Sequence, residues 1–357
     1  MRIAQVAPLF ESVPPRLYGG TERIVFTLTE ELVRHGHDVT LFASADSVTR
    51  ARLVPCCDRA IRLDARCQDD VALHGLEIER VDQMLDEFDV VHYHTSLVHY
   101  PSARRALKRG YANVTTLHGR LDLPELAAVF KEFPEIPIVS ISNAQRKPMV
   151  GTSWTATVYH GLMPDMFQFQ PSEGEYFAFL GRFSPEKRAD RAIEIARTLA
   201  VPLKLAAKID THDYEYYKSQ IEPLLDSSSL EFVGEIGEHE KSAFLGHARA
   251  LLFPIDWPEP FGLVMIEALA CGTPVVAFRN GSVSEVIHDA VTGFVVDDMV
   301  GGIAAARMVD QLDRARCRSE FERRFSAARM TQDYLNVYRR IINQLANSSE
   351  RAGVRAA

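Results

Sequence analysis

WPEPFGLVMIEALACGTPVVAF, residues 257–278, is the stretch that decides the fold. It follows the apolar run ALLFPID (250–256), and Pro260 stands just ahead of an apolar helical pattern. An apolar strand, a loop stiffened by proline and then a helix form the repeating unit of a parallel α/β sheet. Proline suits a helix start, because the first helical N–H groups have no intrahelical partner. We therefore predict a helix that begins near Phe261 or Gly262, directly after a strand.

The same alternation of short β-rich runs and longer helical patterns extends outward through almost the whole chain, which predicts parallel sheets. The clearest helix is Glu22–His35, with Gly36 as its stop. Residues 44–70 show no pattern that can be matched. The predicted strands are Ile3–Pro8, Asp38–Ser44, Asp89–His94, Val114–His118, Ile138–Ser142, Ala156–His160, Tyr176–Gly181, Leu203–Lys208, Leu230–Val233, Ala250–Pro254, Pro274–Ala277 and Gly293–Val296.

A linker divides this series into two halves. At 357 residues the chain is too long for one hydrophobic core, and GLMPDMFQFQPSEGEY (161–176) is rich in proline and glycine without periodicity. We predict two Rossmann-like α/β/α domains, 1–163 and 164–326, that face each other across a cleft. A helical pattern at 327–346 and a polar, disordered tail at 347–357 complete the chain. Ligands of such sheets bind where the strands end, so the loops after strands are the places to search.

Composition excludes several functional classes. The formal charge is −8, from 40 basic and 48 acidic residues, which argues against a general nucleic-acid binder. Five cysteines in an unmatched pattern indicate reduced thiols and a cytoplasmic protein, and no run approaches the roughly 20 apolar residues of a membrane span. Cys56, Cys57 and Cys67 lie close together, but no partner pair with zinc-site spacing follows them. The N-terminus is typical of a buried first strand rather than a signal peptide.

Two loops have the composition of phosphate sites. Gly19 and Gly20 precede a helix, where free N–H groups and the helix dipole favour an anion, although a plain turn is equally compatible. No G-x-G-x-x-G follows the first strand, which counts against a nicotinamide dehydrogenase. Arg182 and Lys187 flank the start of a later helix, and two cations there favour a diphosphate. The alternative for this pair is a solvated charged loop.

Histidines stand at the ends of two predicted strands in the first half of the chain. His92 and His94 share a strand face and, with His99, could chelate a metal, but no acidic or cysteine partner is evident nearby. We expect polar side chains at a strand end rather than a metal site. His118 ends the next strand and is followed by Gly119, so it is a candidate to hydrogen-bond a ligand.

The two glutamates of the opening stretch complete the candidate site. Glu259 lies between two prolines and Glu267 follows eight residues later, about 12 Å away along a helical rise. Between them, the first N–H groups of the helix, at Gly262, Leu263 and Val264, are suited to phosphate oxygens. A ligand with hydroxyls at both ends and a diphosphate between, such as a nucleotide sugar, has this layout. A loop acid at Glu259 and a carboxylate favoured by the helix dipole at Glu267 are the plain alternatives.

A basic run, RRALKRG (104–110), completes the candidates. Such runs are more often a solvated helix face than a contact for an anionic membrane or an acceptor.

These motifs resemble the retaining glycosyltransferases of family 4, which have the GT-B fold, over nearly the whole chain. The resemblance rests on the E-x7-E signature EPFGLVMIE (259–267), on GRFSPEK (181–187), on YGGTER (18–23), on TLHG (116–119) and on NGSVSEVI (280–287) with TGFVV. It implies transfer of a hexose from a nucleotide diphosphate sugar, UDP-linked in first place and GDP-linked next, to an acceptor hydroxyl with retention of configuration. The acceptor would be a small molecule, a glycan or a lipid-linked glycan, with peripheral membrane contact as one possibility.

The resemblance also implies the role of each candidate. Glu259 would bind a hydroxyl of the donor sugar and Glu267 the ribose hydroxyls, while Arg182 and Lys187 would neutralise the diphosphate. The backbone from Phe261 to Val264, namely Phe261, Gly262, Leu263 and Val264, would hold phosphate and sugar. Gly19, Gly20 and His118 would close the site from the other domain, and the last helix would pack back on that domain.

No cofactor or metal is expected, since no D-x-D occurs in the sequence and cations with helix dipoles can replace Mg²⁺. Two rival functions share this architecture. A nucleotide-sugar 2-epimerase needs acid–base residues at the sugar ring rather than the E-x7-E layout. A binding protein without catalytic activity is disfavoured by the intact Arg182, Lys187, Glu259 and Glu267.

Overall fold

The structure is a computed structural model that describes residues 1–17, 19–95, 97–225 and 229–347 and the helical backbone through Ala356. Two compact units make up the chain. Unit 1 comprises Met1–Ile141, Arg146–Gly161 and Ala327–Ala357, and unit 2 comprises Ser142–Gln145 and Leu162–Ser326. Tyr18 of the YGGTER loop lies outside the described residues, as do the side chains of 348–357 in the predicted tail, 347–357.

Unit 1 is built on a seven-stranded parallel sheet with strand order β3-β2-β1-β4-β5-β6-β7. Its strands carry apolar residues on both faces, as in the fully buried β1 run IAQV, because helices cover both sides of such a sheet. Its elements are β1 (Arg2–Val6), α1 (Gly20–Arg34), β2 (Asp38–Ser44), β3 (Arg52–Cys57), α2 (Asp70–Gln83), β4 (Val90–Tyr93), α3 (Tyr100–Lys108), β5 (Asn113–Thr116), α4 (Pro124–Glu132), β6 (Ile138–Ser140), β7 (Trp154–Thr157) and, from the end of the chain, α12 (Ala327–Ala356).

Unit 2 repeats the design with a six-stranded parallel sheet in the order β10-β9-β8-β11-β12-β13. Buried aromatic and aliphatic side chains such as Phe177, Phe183 and Leu252 form its core. Its elements are β8 (Tyr176–Arg182), α5 (Ala189–Leu199), β9 (Leu203–Lys208), α6 (Tyr214–Tyr216), β10 (Leu230–Gly234), α7 (Glu238–Gly246), β11 (Ala248–Phe253), α8 (Leu263–Ala270), β12 (Val275–Phe278), α9 (Val283–Val286), β13 (Gly293–Val296), α10 (Met299–Met308) and α11 (Arg314–Phe325). Two parallel sheets covered by helices confirm the predicted α/β fold class.

Each sheet reverses its winding direction once. In unit 1 the reversal lies between β1 and β4, and in unit 2 it lies between β8 and β11. At such a point the loops that follow the two neighbouring strands diverge to opposite faces of the sheet and leave a crevice where ligands of open α/β sheets bind. The loops after β1 and β4, and those after β8 and β11, are therefore where each unit can hold a ligand.

Two sequence predictions differ from the structure. Strand β3 (Arg52–Cys57) lies in the stretch where no pattern was recognised, because an edge strand with Pro55 and partly exposed side chains lacks the apolar signal. Helix α8 begins at Leu263, so Phe261 and Gly262 precede it. Glu259 is consequently not on the helix, and the helical rise of about 12 Å between the two glutamates does not apply.

Candidate functional site

In unit 2 the loops after β8 and β11 are tied to each other. The backbone N–H of Asp256 donates to the carbonyl oxygen of Glu186 at 2.8 Å. The Asp256 carboxylate in turn accepts from Arg188 at 2.9 Å and from Arg191 at 3.0 Å. Arg188 adopts the left-handed conformation (φ 53°) as it enters α5. These bonds fix the segment that carries Lys187 against the segment that carries Glu259.

Lys187 and Glu259, predicted separately, form an ion pair. The Lys187 ammonium contacts Oε2 of Glu259, and the indole Nε1 of Trp257 donates to the same oxygen at 3.0 Å. The ammonium also lies 5.3 Å from the ring centroid of Trp257 and 5.6 Å from that of Phe253. Glu259 is only 9% exposed, so it is not the solvated loop acid of the plain alternative. Lys187 is half-buried with one carboxylate partner and two aromatic neighbours, and it stays a candidate to bind an additional anion.

The backbone around Glu259 is held from several sides. Ser282 donates from its backbone N–H to the Glu259 carbonyl at 2.9 Å and from its hydroxyl to the Phe261 carbonyl at 2.8 Å. The hydroxyl of Ser142 donates to the Pro260 carbonyl at 2.6 Å. Gly281 has φ 53°, and a Cβ there would come within 2.2 Å of the Glu259 backbone oxygen. Only glycine fits this position, which explains why NGS follows the signature at this distance.

The start of α8 follows directly. Gly262 is its N-cap with φ 78°, and its carbonyl accepts from the Met265 N–H at 3.0 Å. Leu263 and Val264 occupy the first turn, where helical N–H groups have no intrahelical partner. Phe261 is buried, with its ring edge-on to Phe325 at 6.1 Å. The predicted anion-binding N–H groups thus belong to Leu263 and Val264, while Phe261 anchors the loop in the core.

Glu267 lies one turn further along α8 and is 1% exposed. The Lys241 ammonium donates to its Oε1 at 2.9 Å and lies 3.6 Å from Glu238. Burial of a carboxylate requires such a partner, because desolvation of an unpaired charge costs several kcal/mol. Sequence reasoning missed Lys241, since 26 residues separate it from Glu267 and its own helix shows no distinctive pattern.

Arg182 has different neighbours. Its guanidinium donates to Asp213 at 3.3 Å and lies 3.9 Å from Glu186. The contacts that the structure records for Arg182 are therefore with acidic groups beside the end of β8, whereas Lys187 contacts Glu259. Asp213 is a second residue that sequence reasoning did not single out.

In unit 1 the loop before α1 is tightly packed. A Cβ on Gly19 would come within 2.6 Å of Pro15, so only glycine allows this close approach. Gly20 is the first residue of α1, and the carbonyl of Gly19 accepts from the N–H of Arg23 at 3.1 Å. Glu22 is buried in the first turn, and burial raises the pKa of its carboxyl to about 7. An ionisable group in this turn was not anticipated.

His118 belongs to a cluster of imidazoles. Its Nε2 lies 2.9 Å from Nδ1 of His94, and its ring stacks on that of His160 at 5.3 Å. Burial lowers the pKa of His118 to about 3, because a charged imidazole is poorly solvated there. Its Nδ1 is buried and has no hydrogen-bond partner among the residues that the structure describes. An unpartnered imidazole nitrogen at a strand end is suited to a ligand hydroxyl.

The other two histidines are satisfied internally. His92 bonds through Nδ1 to the Tyr338 hydroxyl and through Nε2 to the Thr116 hydroxyl, both at 2.7 Å. His99 bonds through its two nitrogens to Thr95 at 2.9 Å and Thr115 at 2.8 Å. Their nitrogens are thus occupied by hydrogen bonds. Within the described ranges, no group of three or more His, Cys, Asp or Glu side chains has metal-binding geometry.

Most of the basic run lies on helix α3, where its arginines contact other residues of unit 1. Arg104 pairs with Glu132 at 2.8 Å and with Glu135, and it stacks on Phe133 at 4.1 Å. Arg105 lies 3.8 Å from Asp82. These contacts favour the solvated helix face over a membrane contact. Of the described helices, none combines the length and apolar character that a bilayer span needs.

Two family models match the chain. The model for glycosyl transferases group 1 matches residues 165–326, which include Lys187, Glu259 and Glu267. The model for glycosyltransferase family 4 matches residues 18–148, which include Gly19, Gly20 and His118.

Among curated relatives, the phosphatidyl-myo-inositol mannosyltransferase of Mycolicibacterium smegmatis is 27% identical over 339 residues, which cover 86% of this chain and 83% of the relative. Among solved structures, AviGT4, a glycosyltransferase involved in avilamycin A biosynthesis, is 24% identical with a TM-score of 0.73 and covers 96% of this chain and 99% of its own. Anabaena HepE in complex with UDP-glucose is 17% identical with a TM-score of 0.70, and the match covers 98% of this chain and all of HepE.

Proposed function

Because this chain is a glycosyltransferase of the family 4 type with a GT-B fold, we propose that it moves a hexose from a nucleotide diphosphate sugar to an acceptor hydroxyl. We further propose that the donor is a UDP-sugar, with a GDP-sugar as the next choice. The HepE structure, whose ligand is UDP-glucose, supports the first choice by its likeness in fold.

The observation that carries the proposal is the Lys187–Glu259 pair beside the start of α8 in unit 2. In our proposal the diphosphate binds the Lys187 ammonium and the N–H groups of Leu263 and Val264. The phosphate oxygens would then share the Lys187 ammonium with the Glu259 carboxylate. The Glu259 carboxylate keeps the hydrogen bond that it accepts from the Trp257 indole, and it accepts another from a hydroxyl of the donor sugar. Arg182 would add a second cation for the departing diphosphate.

The nucleoside end of the donor is assigned to Glu267. Its carboxylate is buried and one oxygen accepts from Lys241, which fixes the side chain in one orientation. We propose that Glu267 accepts hydrogen bonds from the ribose hydroxyls. Because the ribose does not react, this contact should contribute to binding rather than to turnover.

The proposed contribution of unit 1 is smaller. His118 would hydrogen-bond a hydroxyl of the sugar through its unpartnered Nδ1, and the backbone of Gly19 and Gly20 would approach the phosphate. The tight packing of Gly19 supports the second assignment, since a larger residue would displace this loop.

We propose that transfer retains the anomeric configuration and needs no metal ion. Positive groups would stabilise the negative charge of the leaving diphosphate, as Mg²⁺ does in metal-dependent enzymes. These groups are Lys187, Arg182 and the N–H groups of the first turn of α8. EDTA is therefore expected to leave the initial rate of sugar transfer unchanged. A steep loss of rate on chelation that Mg²⁺ or Mn²⁺ restores would contradict this part of the proposal.

The acceptor is proposed only by class, as a hydroxyl of a small molecule, a glycan or a lipid-linked glycan. The name of the mannosyltransferase relative includes a phosphatidyl lipid, which makes lipid acceptors worth including in a screen. We place the reaction in the cytoplasm, because all five cysteines are free thiols.

The decisive experiment is incubation of the protein with a panel of nucleotide sugars in the absence of an acceptor, followed by product analysis. A transferase is expected to hydrolyse its donor slowly and to release the nucleoside diphosphate. A new sugar isomer would instead identify a nucleotide-sugar 2-epimerase. Melting-temperature shifts without turnover of any donor would identify a binding protein.

A further inference from the structure

A directional chain of hydrogen bonds runs through the buried interior of unit 1. It links the side chains of Gln5, His94 and His118, and we name these three residues the histidine relay. Gln5 Oε1 lies 2.8 Å from His94 Nε2, and His94 Nδ1 lies 2.9 Å from His118 Nε2. The three residues come from β1 and from the ends of β4 and β5. The relay therefore crosses the point where the sheet of unit 1 reverses its winding.

The orientation of Gln5 determines which atoms of the relay carry protons. Its amide nitrogen donates to the Tyr338 hydroxyl at 3.1 Å, and that hydroxyl is 2.7 Å from Nδ1 of His92. His92 continues through Nε2 to Thr116. With the amide nitrogen facing Tyr338, the amide oxygen of Gln5 faces His94 and can only accept a hydrogen bond.

The proton positions on the two relay histidines follow in sequence. Burial lowers the pKa of both His94 and His118, so each imidazole is neutral and carries a single proton. His94 must place its proton on Nε2, because Gln5 Oε1 needs a donor. Its Nδ1 is then a lone pair that accepts from Nε2–H of His118. The remaining nitrogen of His118, Nδ1, is thereby left as a bare lone pair.

We propose that Gln5 and His94 are positioning residues that hold His118 in its Nε2–H tautomer, so that Nδ1 offers a hydrogen-bond acceptor to a hydroxyl of a bound sugar. This inference rests on the proposed function for its ligand, whereas the tautomer itself depends on unit 1 alone. A hydroxyl that meets Nδ1 must donate its proton. His118 in this state can receive a proton or a hydrogen bond at Nδ1, but it cannot donate one there.

The first test is nuclear magnetic resonance of the full chain with ¹⁵N-labelled histidine near pH 7. Long-range couplings to the ring protons distinguish a protonated imidazole nitrogen from a bare one. We expect His118 to carry its proton on Nε2 and to have a bare Nδ1, with the same arrangement on His94. A proton on Nδ1 of His118 would mean that the amide of Gln5 is turned round, and it would overturn the proposal.

Two variants of Gln5 test whether the relay sets the tautomer. Gln5→Met removes the acceptor that faces His94, so we expect both histidines to become mixtures of tautomers. Gln5→Glu retains an acceptor at this position and should retain the tautomer of His118. Thr115→Val is the matched control. It removes one buried threonine–histidine bond, to His99, in the same unit but outside the relay. It should leave the spectrum of His118 unchanged.

Sugar transfer by the same variants tests whether the tautomer matters. Gln5→Met should lower turnover about tenfold, the lower end of the loss known for removal of a hydrogen-bond partner from a metal-bound histidine, while Gln5→Glu stays within about twofold of the parent. Equal turnover of Gln5→Met and the parent, despite mixed tautomers, would overturn the positioning role. Should Gln5→Met fail to fold, the spectra of the parent and of Gln5→Glu still decide the direction of the relay.

Failure of the proposed function gives a different result. If no nucleotide sugar is turned over by the parent protein while the spectra show the predicted tautomers and their response to Gln5→Met, then the relay stands and its sugar ligand is wrong. If transfer is active while His118 has a protonated Nδ1, then the relay is wrong and the function stands.

Discussion

The polar side chains beside the winding reversal of the sheet differ between the two units. At the winding reversal of unit 1 the buried groups are neutral, with histidine, tyrosine, threonine and glutamine joined by hydrogen bonds. In unit 2 the loops after β8 and β11 instead carry a charged pair, Lys187–Glu259, and a second pair, Lys241–Glu267, joins helices α7 and α8. The two folds are alike, so the difference lies in the chemistry that each unit offers.

This difference indicates which kind of group each unit can bind. A neutral hydrogen-bonded chain fixes the direction in which protons point, which suits recognition of sugar hydroxyls. The cation of an ion pair can also bind a second anion of higher charge, and a diphosphate is such an anion.

The largest expected effect comes from removal of the Lys187 cation. Lys187→Ala should raise the activation free energy by about 3 kcal/mol and so lower turnover roughly a hundredfold, because negative charge grows on the departing diphosphate. Lys218→Ala is the matched control, since this lysine of unit 2 pairs on the surface with Glu222. Steady-state kinetics of both variants provide the measurement. A loss below about threefold in Lys187→Ala would return Lys187 to the class of ordinary loop charges.

The next effect concerns stability and compares a charged pair with a neutral one. Lys241→Met leaves Glu267 as a buried carboxylate without its cation, which should lower the free energy of unfolding by about 3 kcal/mol. The neutral counterpart, Thr115→Val, should cost only about 1 kcal/mol. Urea denaturation of the two variants measures the difference. Similar losses would show that the contrast between the units has no energetic basis.

The smallest effect tests an exception in unit 1. Glu77 on α2 is fully buried, neither carboxylate oxygen has a hydrogen-bond partner among the described residues, and burial raises its pKa well above the usual range. The folded protein therefore holds Glu77 protonated. Its unfolded form ionises near pH 4.3, so the stability that depends on this proton is complete below that pH and declines as the pH rises.

Glu77→Gln removes this decline, since an amide does not ionise. Relative to the parent, the variant should gain about 1 kcal/mol of stability between pH 5 and pH 6, since each pH unit between the unfolded and folded pKa values changes the free energy of unfolding by about 1.4 kcal/mol. Denaturation at the two pH values gives the result. An unchanged difference between variant and parent would show that Glu77 is ionised in the folded protein.

Local patterns in the sequence were sufficient to predict the alternation of strands and helices. They also placed Lys187 and Glu259 on loops that follow strands, and Glu267 on the helix after such a loop. The reason is that periodicity and turn residues act over a few positions. Strand β3 was missed because an edge strand with a proline lacks that local signal.

The partners of these residues could not be predicted. Lys241 meets Glu267, and Gln5 meets His94, only because the order of the strands brings distant segments together. The spacing of the two glutamates was interpreted as a helical rise, whereas the backbone around Glu259 is an irregular loop held by Gly281 and Ser282. A local motif predicts which element a residue lies on more reliably than it predicts the distances between residues.

The central claim, that α8 and the loop before it hold a nucleotide sugar with the ribose at Glu267 and the hexose at Glu259, is tested most directly by calorimetry. UDP, and GDP in a parallel series, would be titrated into the parent protein, Glu267→Ala and Glu259→Ala. We expect Glu267→Ala to weaken binding by about 1.5–3 kcal/mol, because a charge-assisted hydrogen bond to the ribose is lost. Glu259→Ala should bind the nucleoside diphosphate nearly as the parent does while its turnover falls. Loss of nucleotide binding in Glu259→Ala with unchanged binding in Glu267→Ala would contradict the account.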